Sequence, residues 1–527
     1  MKSRTLISLS AIALVTALTI PADFAAQDKQ DNNPKHHHYQ LIDLGTFGGP
    51  ASYINPTGNG GPYMNRQGTV VGSSMTSIPL PANNNGFPCV APAPDVFHAL
   101  QWGNGAVTDL GSLGEAGDCS NAMAINDADE SAGQSENGEV DPLTSTWEVR
   151  AVLWKDGQIK NLGTFGGNHS LAGAINNRGQ IVGFALNKTP DPYSLFDLPF
   201  LGSSNGTQTR AFLWQNGQMR DLGTLGGPDA LAMFVNDRGQ VAGISYTDST
   251  PNPTTGVPTL HPFLWEKGQM KDLGSFGGFG TVLGNNAVFV VGFNNSGQAI
   301  GFSPVTGDQH SDAFLWDGEK LVDLYTSTIG GQPLTADAIN DAGEVVGASA
   351  FPNRPFEAYL RRDEVATDLG TVVGDCFSQA VAINSRGQVV GMSFSCDGSS
   401  QRAFLWEDGA IVDLNTLIQP NSGFQLVETN AINDRGEIAG NGFPPGCTDF
   451  SCSHAYVLIP CDGGHADAQG CEDNVEGTTA VTQDNPALIN QSPTMVTQGS
   501  PAAIELMARI RARLARRYRG FGAWPRN

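Results

Sequence analysis

Arg210-Ala-Phe-Leu-Trp214, Gln-Asn-Gly-Gln-Met, Arg220-Asp-Leu-Gly-Thr-Leu-Gly-Gly227 and, after a short gap, Asn236-Asp-Arg-Gly-Gln-Val-Ala-Gly243 form one unit of a repeat. Recognisable copies run from near residue 39 almost to residue 460. Each unit holds four short apolar runs separated by turn signals, and four strands per repeat at this length define a β-propeller blade. We letter the strands A to D. A ends in the Asn of "AIN", B is the "GQVVG" run, C is "AFLW" and D is "DLG". Strand C is apolar at consecutive positions, as in Ala403-Phe-Leu-Trp406, so both its faces are buried, as they are in a blade sandwiched between neighbours. Strand A is rich in small residues, as in Ser170-Leu-Ala-Gly-Ala-Ile-Asn176, which suits the inner strand where blades converge. Asn216-Gly217, Asp156-Gly157 and Asp408-Gly409 supply the positive φ angles of two-residue C–D hairpins. Asn236-Asp-Arg-Gly239 and Asn433-Asp-Arg-Gly436 form tight A–B turns.

The order (H/R)-A-F-L-W, G, D-L-G-T-x-G-G, A-I-N-x-x-G-Q-V-V-G resembles that of the HAF-repeat family, bacterial repeat proteins described as extracellular. The resemblance covers roughly residues 39–460. That family is defined by its repeat, so the resemblance carries no activity with it. The propeller expectation comes from the strand count.

The repeat begins out of phase. Tyr39-Gln-Leu-Ile-Asp-Leu-Gly45 reads as a D strand with nothing before it, and His454-Ala-Tyr-Val-Leu-Ile459 as a C strand with no D after it. There are eight A–B turns, near Asn65, Asn126, Asn176, Asn236, Asn294, Asn340, Asn384 and Asn433. There are also eight C strands, beginning near His98, Arg150, Arg210, His261, Asp312, Glu357, Arg402 and His454. The expectation is an all-β, eight-bladed propeller of four-stranded blades, closed by pairing of the N- and C-terminal strands, which removes an open sheet edge.

Outside the ring, Met1-Lys-Ser-Arg4, an apolar run from Leu6 to Ile20 and the Ala-rich stretch to Ala26 read as a secretory signal peptide over 1–26. The alternative is a retained anchor. Residues 27–38 read as a polar spacer whose His36-His37-His38 cannot converge on a metal without a scaffold. Residues 461–500 read as a disordered linker. Residues 501–520 read as a basic amphipathic helix, with Leu506, Met507, Ile510, Leu514 and Tyr518 on one stripe and Arg509, Arg511, Arg513, Arg516 and Arg517 around it. Residues 521–527 form a tail.

With 65 glycines among 527 residues, 15% charged residues and a net charge of −23, the chain is acidic and turn-rich. That acidity speaks against nucleic acid, whose phosphates need a cationic surface. The eight cysteines suit an oxidising compartment. Their placement predicts Cys89–Cys119, Cys376–Cys396, Cys447–Cys452 and Cys461–Cys471.

In a propeller the A–B and C–D turns share one face, and the B–C and D–A loops share the other. The first set is short. The second includes Ser74–Phe97, Glu136–Glu148, Ala185–Thr209 and Tyr246–Leu260, long and rich in Pro, Asn and Asp, and long loops on a rigid scaffold carry binding. The position just before strand A varies most: Cys119, His169, Asp229 and Phe377. His169 and Asp229 are therefore the expected ligand-facing residues at the mouth of the decorated face. The repeated Asp of D-L-G (Asp43, Asp109, Asp221, Asp272, Asp323, Asp368, Asp413) reads as a fold feature bonding turn amides. No catalytic residue, metal ligand or cofactor motif is assigned.

Three functional readings stay open. One is a secreted or envelope-associated binding scaffold for a glycan or protein at the long-loop face. The second is a polysaccharide-active enzyme at the propeller mouth, and the third a structural envelope or matrix protein. The basic helix has three outcomes: binding an anionic membrane surface, docking on an envelope partner or on its own acidic propeller, or staying unfolded in water.

Overall fold

In a computed structural model, the chain forms eight four-stranded antiparallel sheets in a ring. The structure describes residues 37–54, 61–81, 94–114, 117–194, 196, 205–282, 286–352, 354–461 and 471. The expected signal peptide, nearly all of the polar spacer, Cys89, all but Cys461 and Cys471 of the expected linker, the basic helix and the tail lie outside these residues.

Blade 1 comprises Gly48–Tyr53, Val70–Pro79, Asp95–Gly103 and Ala106–Asp109. Blade 2 comprises Ser120–Ile125, Ser131–Val140, Trp147–Lys155 and Gln158–Asn161. Blade 3 comprises Ser170–Ile175, Ile181–Pro190, Thr207–Gln215 and Gln218–Asp221. Blade 4 comprises Ala230–Val235, Val241–Tyr246, Leu260–Glu266 and Gln269–Asp272. Blade 5 comprises Phe289–Phe293, Ala299–Pro304, Ser311–Trp316 and Leu321–Asp323. In blade 6 the inner strand is broken into Gln332–Pro333 and Ala338–Ile339, which pair with Val345–Phe351. Arg354–Arg362 and Val365–Gly370 complete it. Blade 7 comprises Asp375–Ile383, Val389–Ser395, Gln401–Glu407 and Ala410–Asp413. Blade 8 takes Gln425–Ile432, Ile438–Phe443 and His454–Pro460 from the end of the repeat and Tyr39–Asp43 from its start.

That last pairing closes the ring as expected. Tyr39 lies opposite Pro460 and Asp43 opposite Tyr456. Leu44 N–H donates to the Ala455 carbonyl at 3.0 Å, and the carboxylate of Asp43 meets His454 Nδ1 at 2.8 Å.

The repeat's consensus letters each have a physical reason. The side-chain nitrogen of every A–B turn Asn donates to the main-chain carbonyl of the corresponding Asn in the next blade. The series runs from Asn65 through Asn126, Asn176, Asn236, Asn294, Asn340 and Asn384 to Asn433, and Asn433 returns to Asn65. These eight bonds, from 2.8 to 3.3 Å, encircle the axis without a break. In its own turn, Asn236 Oδ1 accepts from the amides of Arg238 and Gln240, and its Nδ2 also donates to Gln240 Oε1. Hence the Gln or Glu four residues after the Asn.

The Gly that closes "GQVVG" has a different cause. Strand A bulges opposite it, between Ala172 and Ala174 in blade 3. A Cβ on Gly72, Gly133, Gly183, Gly243, Gly301, Gly347, Gly391 or Gly440 would sit 1.9–2.5 Å from an inner-strand carbonyl oxygen. Only glycine lets the two backbones approach that closely.

The Asp of D-L-G caps its own turn, as expected: Gly223 N–H donates to Asp221 Oδ1 at 2.8 Å, and Gly274 N–H to Asp272 at 2.7 Å. It also pairs with the His or Arg that opens strand C, as in His98–Asp109, Arg210–Asp221 and His261–Asp272. Blades 5 and 6 break this rule with an acid in the opening position, Asp312 and Glu357. Glu357 is buried beside Asp368, with Arg354 at 3.2 Å from the first and 3.0 Å from the second. Burial, then the neighbouring Asp368 carboxylate, push the Glu357 carboxyl up to about 8.

A carboxyl raised on folding keeps its proton in the folded chain after the unfolded chain has lost it. Stability therefore falls as pH rises from the ordinary carboxylate range to about 8. Glu357→Gln is expected to abolish that fall. Its melting temperature should match the wild type near pH 4 and exceed it above pH 8. Parallel melting curves across that range would contradict the assignment.

Three of the predicted disulfides are formed: Cys376–Cys396, Cys447–Cys452 and Cys461–Cys471. Cys119 is disulfide-bonded too. Its expected partner, Cys89, lies outside the described residues.

Candidate functional site

The decorated face is asymmetric in a way the sequence concealed. In blades 1 to 3 strand B runs for 10 residues, against six or seven in the other blades. Much of what reads as long loop is therefore hairpin. Ser74 to Pro79, Glu136 to Val140 and Ala185 to Pro190 continue strand B outward. The result is a wall of three projecting hairpins on one side of the face. At the tip of the second, Val140 and Leu143 are 49% and 64% exposed.

The hairpin bases are pinned by the residues expected to face a ligand. His169 is 1% exposed. Its Nε2 lies 2.9 Å from Asp141 Oδ2 at the tip of the second hairpin, and its Nδ1 accepts from the Val149 amide at 3.2 Å. Asp141 is buried as well. Bonds from His169, the Leu143 amide and Asn168 outweigh that burial and hold its carboxyl well below the usual range. Asp229 is fully buried and accepts from the Thr209 amide at 2.7 Å. Cys119 and Phe377 are buried in the same register position. This placement differs from the expectation of a ligand-facing mouth. In blades 2 to 4 the residue before strand A is a peg that accepts from the main-chain amide just before the opening residue of the preceding blade's strand C, at Phe97, Val149 and Thr209. It varies because a cysteine sulfur, an imidazole and a carboxylate can all accept from that amide.

Along the axis runs a channel of about 610 Å³ with all eight blades in its wall. Its rim on the A–B turn face carries Arg66, Asp127, Asn177, Asp237, Asn295, Asp341 and Asp434. These cross-link neighbouring turns, as where the Asn177 amide donates to Asp237 Oδ1 at 2.9 Å and the Asn295 amide to Asp341 Oδ1 at 2.8 Å.

The channel wall has two arcs. Blades 3 to 5 contribute Leu171, Phe184, Leu231, Met233, Val291 and Phe293. Blades 6, 8 and 2 contribute the polar groups Asp337, Asn430 and Gln134. Asp337 accepts from Thr335 Oγ1 and Gln379 Nε2, each at 2.8 Å. The Asn441 amide reaches Glu428 and Asn430, each at 3.3 Å. Sequence reasoning missed this arc. Its members sit at the second and fourth positions of strand A, or just after the Gly of strand B, where blades 3 and 4 carry mostly Leu, Phe, Met and Ile. A polar residue at an inner-strand position was the available signal. No group of three or more His, Cys, Asp or Glu able to hold a metal ion occurs among the described residues.

No family model matches the chain, and no curated protein matches it. Similar solved structures include the β-propeller domain of the Trilobed protease from Pyrococcus furiosus, at 10% identity and a TM-score of 0.35, over 72% of this chain and 95% of that one. Others are a family PL25 ulvan lyase, at 10% identity and a TM-score of 0.30, over 73% and 100%, and a GH74 xyloglucanase from Xanthomonas campestris, at 9% and 0.26, over 81% and 75%. At that level of likeness nothing of their activities transfers.

Proposed function

We propose that this protein is an exported interaction scaffold, secreted or held at the cell envelope, that binds an extracellular glycan or protein partner along the three-hairpin wall. The observation that carries the reading is the wall itself. Three adjacent B–C hairpins project, and the one in blade 2 is fastened at its tip by a buried Asp141–His169 pair. A rigid projecting surface loses little conformational entropy on binding. The disulfides fit an oxidising location, and the repeat pattern fits the HAF-repeat resemblance.

A second reading, an enzyme acting on polysaccharide, is favoured by the Asp337 carboxylate in the channel wall. Glycosidic-bond cleavage requires a second carboxylate in the same pocket.

A glycan-array screen of the full-length protein, read for both retention and product, separates the two. Binding without turnover supports the scaffold, and bond cleavage supports the enzyme. If the wall is the contact surface, the double substitution Val140→Glu and Leu143→Glu should weaken binding at least tenfold without moving the melting temperature, because both side chains are already exposed. Unchanged binding would remove the wall from the site.

A further inference from the structure

We infer that the axial channel is a second, separate binding site, and that it takes a neutral saccharide unit. The inference stands on the channel alone and does not need the hairpin wall to bind anything.

The starting observation is a set of buried side-chain amides, each with one polar atom unpaired. Gln134 lines the channel, is 1% exposed, and its side-chain nitrogen makes no hydrogen bond. Its cross-strand neighbour Asn121 is 2% exposed and keeps its side-chain oxygen unpaired, spending its nitrogen on the Met123 sulfur at 3.3 Å. Fully buried Gln379 gives its nitrogen to Asp337 and leaves its oxygen unpaired. The repeat supplies its own control. The pair that is Asn121 and Gln134 in blade 2 is Leu171 and Phe184 in blade 3, and Leu231 and Ile244 in blade 4. The fold thus accommodates apolar side chains at these positions. An unpaired amide at Gln134, the member of the set that lines the channel, is destabilising and calls for a reason, and a ligand that pairs with it is one.

The chemistry of the wall selects the ligand. An apolar molecule would satisfy the arc of blades 3 to 5 and leave the amides unpaired. The rim carries four aspartates, Asp127, Asp237, Asp341 and Asp434, against one arginine, Arg66, so its net charge disfavours an anion. The Asp337 carboxylate is already engaged by Thr335 and Gln379, and Glu428 by Gln401 and Asn441, so neither carboxylate presents a bare charge to an organic cation. A neutral sugar ring fits both arcs. Its hydroxyls donate and accept, as primary amides require, and its C–H face lies against Leu171, Phe184 and Phe293.

The test uses the full-length protein and a panel of neutral oligosaccharides built from glucose, galactose, mannose and N-acetylglucosamine. Binding is read by saturation-transfer NMR and calorimetry. Gly173 lines the channel, and a Cβ there meets nothing closer than 3.4 Å, so Gly173→Phe is a plug. At least one panel member should bind, and Gly173→Phe should weaken it at least tenfold. Gln134→Leu should do the same while melting no lower than the wild type, a combination that a purely structural glutamine would not give. Val140→Glu with Leu143→Glu should leave this binding within twofold, which separates it from contact at the hairpin wall. If no panel member binds, or if folded Gln134→Leu binds within twofold of wild type, water alone serves the amides and the inference is wrong.

Discussion

A chain lacking residues 39–45 is expected to lose most of its folding stability and to associate through its exposed edge. The deletion strips blade 8 of its outer strand. That strand contributes five paired residues, the buried side chains of Tyr39 and Leu44, and the Asp43–His454 pair. Each large apolar side chain removed from the core costs about 1.5–3 kcal/mol. Tyr39 and Leu44, with half-buried Leu41 and Ile42 beside them, therefore represent on the order of 5 kcal/mol before any hydrogen bond is counted. The deletion also unpairs one side of His454–Pro460, leaving a flat edge beside an apolar interior. Equilibrium denaturation and size-exclusion chromatography read the two effects. A truncated chain that melts with the parent and elutes as a monomer would contradict the closure.

The second large effect is expected at the inner ring of asparagines. Asn236→Ala removes two acceptor contacts within the turn and two donor contacts, one of which crosses to blade 5. Asn236 is buried, so the stranded partners are only poorly reached by water. With about 1–3 kcal/mol for each buried group left unpaired, the substitution should cost roughly 3–5 kcal/mol. Asn236→Asp keeps the two acceptor contacts, loses the donors, and sets a carboxylate against the Asn294 carbonyl. It should be no milder. A cost below about 1 kcal/mol for Asn236→Ala in denaturant unfolding would mean that the ring is geometric coincidence rather than a source of stability.

Much of this architecture was legible in the sequence because turns and inner strands leave strong local marks. Equal counts of A–B turns and C strands, with a D strand stranded at one end and a C strand at the other, imply eight blades and a shared last one. The acceptors that close the asparagine ring were not legible. Each is a main-chain carbonyl, which carries no residue identity, so spacing reveals the partner four residues on but not the one in the next blade.

His169 and Asp229 illustrate a different limit. High variability at one register position looks the same whether the side chain meets solvent or a buried main-chain amide that several side chains can satisfy. Only the fold shows that His169 ends on Asp141, across a hairpin that the sequence presented as loop. The hairpins themselves were hidden because their outer halves, such as Asn137-Gly-Glu-Val140, carry polar residues where alternation would have signalled a strand. Gln134 and Asn121 were visible as polar residues in an apolar repeat. The unpaired Gln134 nitrogen and Asn121 oxygen were not.

The closed ring holds the hairpin wall and the channel in place, so the most direct test of the whole account is hydrogen exchange, read peptide by peptide, on the full-length protein. The account predicts that the amides of residues 39–43 that point into the ladder are protected together with those of 454–460, although some 400 residues separate them, because the two strands pair. Fast exchange at those amides of 39–43 beside slow exchange at 454–460 would contradict it.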